Sequence, residues 1–267
     1  MSTTSWQVPT YTTHELSVKK SDYCVCVFVI NEGEKIREQL QKMRWLSSIV
    51  DIIIADGGSS DNSLDLDFLV SVGVRTLLIK IGAGQLSAQM RMAFSYCLEQ
   101  GYLGIITIDG NNKDDSSAIP RFIQALTKGY DHLQGSRFIS GGVANNTPLS
   151  RLLAVRLIHA PLISLSSGYR YTDTTNGFRA YSRKFLLDER VAPFRDIFRK
   201  YELHYYLAIR APRLGFRVKE IPVTRSYPKH GKIPTKISPL LGNSLILFTL
   251  IKACLGRFNP SKALKDQ

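Results

Sequence analysis

The sequence predicts an α/β chain, a mostly parallel sheet flanked by helices, with a basic, amphipathic helical tail at its C-terminus. Three observations predict it. Short β-branched runs alternate four times with segments of helical period between residues 23 and 128, the pattern of successive βα units in a parallel sheet. Several of those runs end in an acid followed by a polar turn, as in Ile105-Ile106-Thr107-Ile108-Asp109-Gly110. The positive charge is confined to the last third: residues 1–176 hold 16 Lys/Arg and 16 Asp/Glu, and residues 177–267 hold 19 against 6.

Taken in order, residues 24–30 read as the first strand, and the helix after them sets Ile36, Leu40 and Met43 on one stripe. Residues 49–55 are a second strand, followed by a turn from Asp56 to Asp61 and a segment carrying Leu64, Phe68 and Leu69. Residues 74–81 are a third strand. The next helix, 86–98, turns Leu86, Met90, Ala93, Phe94 and Cys97 inward. Residues 103–108 make the fourth strand, and 116–128 a helix with Ile119, Phe122, Ile123 and Leu126 on its apolar face.

Beyond residue 130 the alternation breaks. Helical stretches at 150–167 and 194–212 flank a polar segment, 172–179, and residues 218–223 read as one more strand. These readings divide the chain into a loose N-terminal arm (1–21), an α/β domain (22–225), and a basic loop with an amphipathic tail (226–267).

With 44% hydrophobic and 21% charged residues the composition is that of a globular protein rather than a disordered one. The net charge of +13 points to an anionic partner: a phosphate-bearing substrate, acidic lipid headgroups or nucleic acid. A solvated basic face kept for solubility is the plainer alternative. Cys24 and Cys26 share a strand face, while Cys97 and Cys254 stand alone, so all four read as reduced, small apolar residues of a cytosolic protein. The longest uncharged stretch, 237–251, is interrupted by Pro239, Gly242 and Asn243, and reads as interfacial or buried rather than spanning. His14, His132, His159, His204 and His230 show no metal-ligand spacing, and no phosphate-binding glycine loop or Ser/His/Asp pattern occurs.

Three strands end in an acid: Glu32 after Asn31, then Asp56, then Asp109. Singly, each reads more readily as a helix cap or turn residue than as a ligand group. By strand polarity, however, all three converge on one edge of the sheet, where ligands bind in open α/β folds. Carboxylates there can hold a ribose or a metal–diphosphate.

The order Val29-Ile30-Asn31-Glu32, Asp56-Gly57-Gly58-Ser59-Ser60-Asp61 and Ile108-Asp109-Gly110-Asn111 resembles glycosyltransferase family 2, with its GT-A (Rossmann-like) fold. Gly135-Ser136-Arg137-Phe138 and Asp173-Thr174-Thr175-Asn176-Gly177-Phe178-Arg179 are similar to the dolichyl-phosphate mannose synthase and polyprenyl-phosphate glycosyltransferase branch. The resemblance covers residues 23–237. It implies that Asp56 holds the donor base, with Asn31 and Glu32 lining the same pocket. Arg91 matches a basic residue near the donor diphosphate. Asp109 matches the first acid of an Asp-x-Asp motif serving ribose and metal. Ser136 and Arg137 would face phosphate, with Arg179 in the same substrate region, and Asp173 would lie beside the acceptor as candidate base. Glu202 sits on the helix under that site, and Lys232 and Lys236 lie on a basic loop that could close over diphosphate.

The chain departs from the motif at its second acid, which is Asn111, and at Lys113, where a Gln is common in the family. Asp109, with Asp114 or Asp115, then keeps a weakened Mg²⁺ or Mn²⁺ site, or Lys113 supplies part of the metal's charge; the first is preferred, because a diphosphate needs more than one ammonium.

The function the resemblance implies is inverting transfer of a hexose from a GDP- or UDP-sugar to a polyprenyl phosphate, at the cytoplasmic face of a membrane whose anionic surface the tail touches. Alternatives are the same donor chemistry onto a sugar hydroxyl of a glycan, a sugar nucleotidyltransferase, and a non-enzymatic binder of anionic surfaces. The nucleotidyltransferase would want a basic glycine loop where Asn31-Glu32-Gly33-Glu34 stands. Nucleic acid is disfavoured because aromatics near the tail are sparse for base stacking.

Overall fold

The computed structural model describes residues 6–228 and 241–260. In chain order the first part contains β1 (Tyr11–Glu15), β2 (Tyr23–Val29), α1 (Glu34–Met43), β3 (Asp51–Asp56), α2 (Leu66–Ser71), β4 (Val74–Lys80), α3 (Leu86–Glu99), β5 (Gly104–Asp109) and α4 (Ile119–Thr127). After these come β6 (His132–Ser136), β7 (Val143–Asn145), the long helix α5 (Leu149–Ser167), β8 (Arg179–Ser182) and α6 (Arg183–Leu187). The last elements are α7 (Glu202–Arg213), β9 (Val218–Pro222), β10 (Thr224–Ser226) and α8 (Leu241–Cys254).

Eight strands form one mixed sheet in the order β1-β4-β3-β2-β5-β8-β6-β9, and β7 pairs with β10 beside it. The four strands predicted from alternation, β2 to β5, are parallel neighbours. Period-two alternation along β2 sorts the core into two layers. Cys24, Cys26 and Phe28 pack with α3, and Val25, Val27 and Val29 pack with α1 and α4. Ile36, Leu40 and Met43 are fully buried, as their helical stripe predicts.

Three expectations need correction. Residues 6–21 are not a loose arm: β1 pairs antiparallel with β4 from Tyr11↔Lys80 to Glu15↔Thr76, and Trp6 stacks on Phe194 at 4.0 Å. The added strand satisfies the edge of β4 that would otherwise stand open.

Two strands past residue 130, β6 and β8, join the sheet besides the predicted one: β8 lies antiparallel between β5 and β6, and the predicted strand, β9, extends β6 in parallel. The polar sequences His-Leu-Gln-Gly-Ser and Arg-Ala-Tyr-Ser hide these strands from a hydrophobicity pattern.

Residues 194–201 are turns rather than helix. Their carbonyls are taken from outside: Gln85 N donates to Arg199 O (2.6 Å), Ser87 N to Lys200 O (2.7 Å) and the Arg91 guanidinium to Phe198 O (3.1 Å). With those acceptors spent, the helix starts only at Glu202.

Among the described residues, one helix, α5, is long and apolar enough to cross a membrane. The tail helix α8 buries Leu250 and Ala253 against α5 and α7 and leaves Phe248 and Ile251 exposed, as is Leu255 just past its end.

Strand polarity follows from these pairings. β2, β3, β4, β5, β6 and β9 all end at one edge, and β8 begins there. That single edge therefore collects Val29, Asp56, Asp109, Ser136, Pro222 and Arg179.

His132, fully buried on β6, stacks on Tyr181 at 5.2 Å. Burial, reinforced by the Arg179 charge, holds its imidazole down to about 3 from an ordinary 6.5. The unfolded chain then takes up a proton below pH 6.5 that the native state refuses, so stability falls as pH drops through that window. At pH 5 the loss from this residue is about 2 kcal/mol. His132→Phe keeps a ring in the stack and should shrink the pH 7.5-to-5 loss, measured by urea unfolding, by about that amount. An unchanged pH dependence would count against this assignment.

Candidate active site

The carboxyl edge of the sheet is assembled by backbone clamps. Gln89 of α3 donates its amide to Val29 O at 3.0 Å and also to Ala55 O, tying together the ends of β2 and β3. Gln39 of α1 donates to Asp109 O at 2.9 Å and accepts from Asn112 N at 2.7 Å, gripping both ends of the turn after β5. At Gly177 a Cβ would lie 2.5 Å from Asp109 Oδ1, so only glycine leaves room for that carboxylate. The Thr107 hydroxyl fixes the approach by donating to Gly177 O at 2.9 Å.

On one side of Asp109 lies an acidic, amide-rich lobe. Asp56 is buried and accepts from Ser59 N at 3.1 and 2.9 Å and from Ser59 Oγ at 2.5 Å. Asn31, at φ 47°, donates its N–H to Ser59 Oγ (2.9 Å) and accepts from Ser60 N at 2.8 Å. Gly33 N donates to Asp61 at 2.8 Å, and Glu32 faces Lys35 at 4.0 Å. The structure thus brings Asn31 and Asp56 into one bonded loop pair, as their strand-end positions predict.

On the other side lies a cationic lobe. Arg225, just past β9, is paired with Asp114 through one guanidinium nitrogen and with Asp109 through the other at 3.2 Å. Burial alone would weaken its charge, but Asp114 and Asp109 more than reverse that and hold Arg225 protonated. Burial pushes Asp114 up against the pull of Arg225. Lys113 lies 5.3 Å from the Tyr227 ring centre, and burial followed by the Arg225 charge lowers its pKa. Arg151 of α5 donates to the Tyr227 hydroxyl at 3.0 Å. Burial would raise that phenol, but Arg225, Arg151 and Arg137 together bring it below the ordinary value. Asn111 donates to Asp109 at 3.5 Å.

Arg137 and Asp173 meet in a buried bidentate pair, Nε to Oδ2 at 2.6 Å and Nη2 to Oδ1 at 3.0 Å. The loop carrying Asp173 hangs on Glu220, which accepts from Thr172 N at 2.9 Å and from Asp173 N at 3.1 Å. Ser136 Oγ and Thr172 Oγ1 are 2.6 Å apart.

Three predicted residues have other employment. Arg91 is buried on α3, and its guanidinium donates to the carbonyls of Phe198 and Gln7, away from the cationic lobe. Arg179 fans onto the carbonyls of Asn176 (3.0 Å), Thr174 (2.7 Å) and His204 (2.7 Å), bracing the loop before β8. Glu202 fastens the turn before its own helix by accepting from Arg199 N at 3.0 Å and Lys200 N at 2.6 Å. Lys232 and Lys236 lie outside the described residues.

Sequence reasoning missed Arg225, Arg151 and Tyr227. Arg225 follows a predicted strand by two residues, so the strand-end rule that marked Asp109 would have marked it too. Arg151 carried no signal, since only the fold brings α5 to this edge.

The fold and site define an α/β enzyme whose carboxyl edge opposes a carboxylate–amide lobe to a guanidinium lobe. Residues 24–188 match the family model described as glycosyl transferase family 2, and the chain belongs to that family. It is 28% identical over 208 residues to the polyprenol monophosphomannose synthase of Mycolicibacterium smegmatis, covering 75% of this chain and 76% of that one. It is 24% identical over 229 residues to glycosyltransferase AglJ of Haloferax volcanii, covering 86% and 71%. To the undecaprenyl-phosphate mannosyltransferase of Micrococcus luteus it is 29% identical over 203 residues, 73% of this chain and 79% of the relative. The structure of glucosyl-3-phosphoglycerate synthase from Mycobacterium tuberculosis in complex with Mn²⁺, uridine-diphosphate and phosphoglyceric acid superimposes with a TM-score of 0.62. That match is 14% identical and covers 90% of this chain and 79% of that chain. The fold is therefore GT-A-like, and the chain is a glycosyltransferase.

Breaking a buried ion pair by removing one partner costs about 3–5 kcal/mol, whereas replacing both partners by apolar residues is often neutral. Arg225→Met should lower unfolding stability by about that much in a denaturant titration. Adding Asp114→Leu should recover most of the loss. If the double variant is no more stable than the single one, the Asp114–Arg225 pair is not what Arg225 stabilises.

Proposed function

We propose that this glycosyltransferase moves a hexose from a nucleotide-diphosphate sugar to a polyprenyl phosphate, inverting the anomeric carbon, at the cytoplasmic face of a membrane. The observation that carries this reading is the cationic lobe: Arg225, Lys113, Arg151 and Arg137 gather at the end of β5, β6 and β9 beside Asp109, a partly exposed carboxylate. Two phosphate-bearing ligands, a diphosphate and a lipid monophosphate, need such a concentration of cations. The relatives named for polyprenol and undecaprenyl phosphate support the acceptor.

In this reading the Asn31–Asp56–Ser59 lobe receives the base, and Asp109 the ribose. Asn111 completes the floor. Arg225 and Lys113 face the diphosphate, where negative charge grows as the bond from the anomeric carbon to the diphosphate oxygen breaks. Charges fixed there before the reaction stabilise that change without reorganising. An oxygen of the acceptor phosphate attacks from the opposite face, held by Arg137 and Arg151.

Asp173 keeps both oxygens on Arg137 and is fully buried, so it positions that guanidinium rather than taking a proton. This favours an acceptor that arrives ionised over a sugar hydroxyl, which would need a base.

A divalent ion fits this reading. Asp109, 29% exposed at its side chain, and the Asn111 amide offer hard oxygen donors, while Asp114 is committed to Arg225. One carboxylate with an amide, waters and substrate phosphates is an ordinary Mg²⁺ or Mn²⁺ set. Asp109 and Asn111 would hold the ion, which supplies charge at the diphosphate when bound.

The decisive experiment presents the purified chain with GDP- and UDP-hexoses and polyprenyl phosphate. Lipid-linked sugar should form, stop with chelator, and return with Mg²⁺ or Mn²⁺ at millimolar rather than micromolar concentration, since the site offers one partly exposed acid that Arg225 already shares. Turnover that persists in chelator and dies in Lys113→Ala would replace the metal by Lys113. Transfer to free glycans alone would replace the lipid acceptor.

Asp56→Asn preserves an acceptor oxygen for Ser59 N but loses the charge. It should weaken nucleoside-diphosphate binding by about 10- to 100-fold in calorimetry, the value of one charge-assisted hydrogen bond. Unaltered affinity would remove Asp56 from the base site.

A further inference from the structure

Helix α5 has an outer face that none of the described residues covers. Only 17% of its apolar stretch is buried, although its length and composition would suffice to cross a membrane. Its inner face, with Val155, Ala160 and Ile163, packs on the body, and Ile163 meets Tyr205 and Ala208 of α7 and Leu250 of α8. Its outer face carries Leu149 (69% exposed), Leu153, Leu157 (69%) and Leu165 (80%), with Pro161 also exposed between the last two. These five positions recur every four residues. Four residues overshoot one turn of an α-helix, so such a row would normally drift around the axis. The wider turn at Val155–His159, a π-helix, takes up the overshoot and holds the row on one side.

The charge around this row has one sign. Between Asp131 and Asp173 the sequence contains no acid, while Arg151, Arg156 and Arg170 lie on or beside the helix. The neighbouring α8 exposes Phe248 and Ile251, with Leu255 just past its end, and carries Lys252, and no acid occurs from residue 221 to 265. Two copies of so cationic a surface would repel each other. Spanning is excluded by the inner face, which is packed on protein, and by Arg151, which is bonded to Tyr227 at the site. An apolar row flanked by guanidiniums matches a surface that offers hydrocarbon beneath anionic groups.

We propose that α5 docks this protein on an anionic lipid bilayer, with Leu149, Leu153, Leu157 and Leu165 inserted below the headgroups and Arg156 and Arg170 on their phosphates. The inference deepens the reading that the acceptor is a lipid phosphate. Because Arg151 links the same helix to Tyr227 and through it to Arg225, docking sets the cationic lobe against the surface from which that phosphate would come.

Sedimentation with sucrose-loaded vesicles of phosphatidylcholine, with and without phosphatidylglycerol, tests it using the full chain. The vesicles hold no polyprenyl phosphate and no nucleotide sugar, so their binding is read independently of transfer. Wild-type chain should prefer the anionic vesicles. The triple variant Leu153→Ser, Leu157→Ser, Leu165→Ser changes only exposed positions, and should lose more than tenfold in affinity while keeping its circular dichroism spectrum and nucleotide affinity. Arg156→Gln and Arg170→Gln should each cost about fivefold on anionic vesicles and nothing on neutral ones. Unchanged binding by the triple variant would overturn the proposal, as would loss confined to a Phe248→Ser, Ile251→Ser variant of α8. A wild-type dimer that ignores vesicles and dissociates in the triple variant would assign the row to a second copy instead. Intact vesicle binding without lipid-linked product would overturn the acceptor reading and leave the docking face standing.

Discussion

Everything at the active edge depends on pairing buried charges. A guanidinium or carboxylate held out of water without a partner costs several kcal/mol, and this edge gathers several of each. The fold meets the constraint with two clasps: Arg225 between Asp114 and Asp109, and Arg137 on Asp173. Neither could form within one element. Arg225 follows the last strand of the sheet and its acids follow a central one, so the clasp forms only when the whole sheet is assembled. The same pairing leaves cations fixed in place before any ligand arrives, which is the preorganisation that charge-developing transfer reactions use. Stability and chemistry draw on one set of contacts here.

The carboxylate that faces outward, Asp109, is placed by groups that have no chemistry of their own. Gly177 clears the space, Thr107 holds Gly177, and Gln39 grips the turn beyond. Backbone amides and carbonyls at strand ends lack ladder partners, and glutamines from the covering helices supply them. The site is therefore as rigid as the helix packing behind it.

The basic excess of the last third divides into two uses. Arg179, Arg210, Arg213 and Arg217 spend donors on backbone carbonyls of His204, Arg190, Ser166 and Lys128. These are braces between loops and helices, and they explain much of the charge without any partner. Arg225 and Arg137 are paired with acids at the edge. The bare count of charges did not separate bracing from recognition, because both need a multi-donor planar group.

The central strands, the helices between them and the convergence of the strand ends carrying Glu32, Asp56 and Asp109 were legible in the sequence. Periodicity and strand polarity are local properties, and four parallel units in a row leave one arrangement of their ends. The family motifs added Arg137 and Asp173, though not that they would be paired. What only the tertiary structure decided is everything that joins distant segments. β1 closing the edge of β4, the polar strands β6 and β8 inside the sheet, Arg91 turned to the backbone of Gln7 and Phe198, and Arg225 clasping two acids more than a hundred residues away are of this kind. In each, a polar group is buried because a partner from elsewhere satisfies it, and no pattern of hydrophobic spacing records who that partner will be.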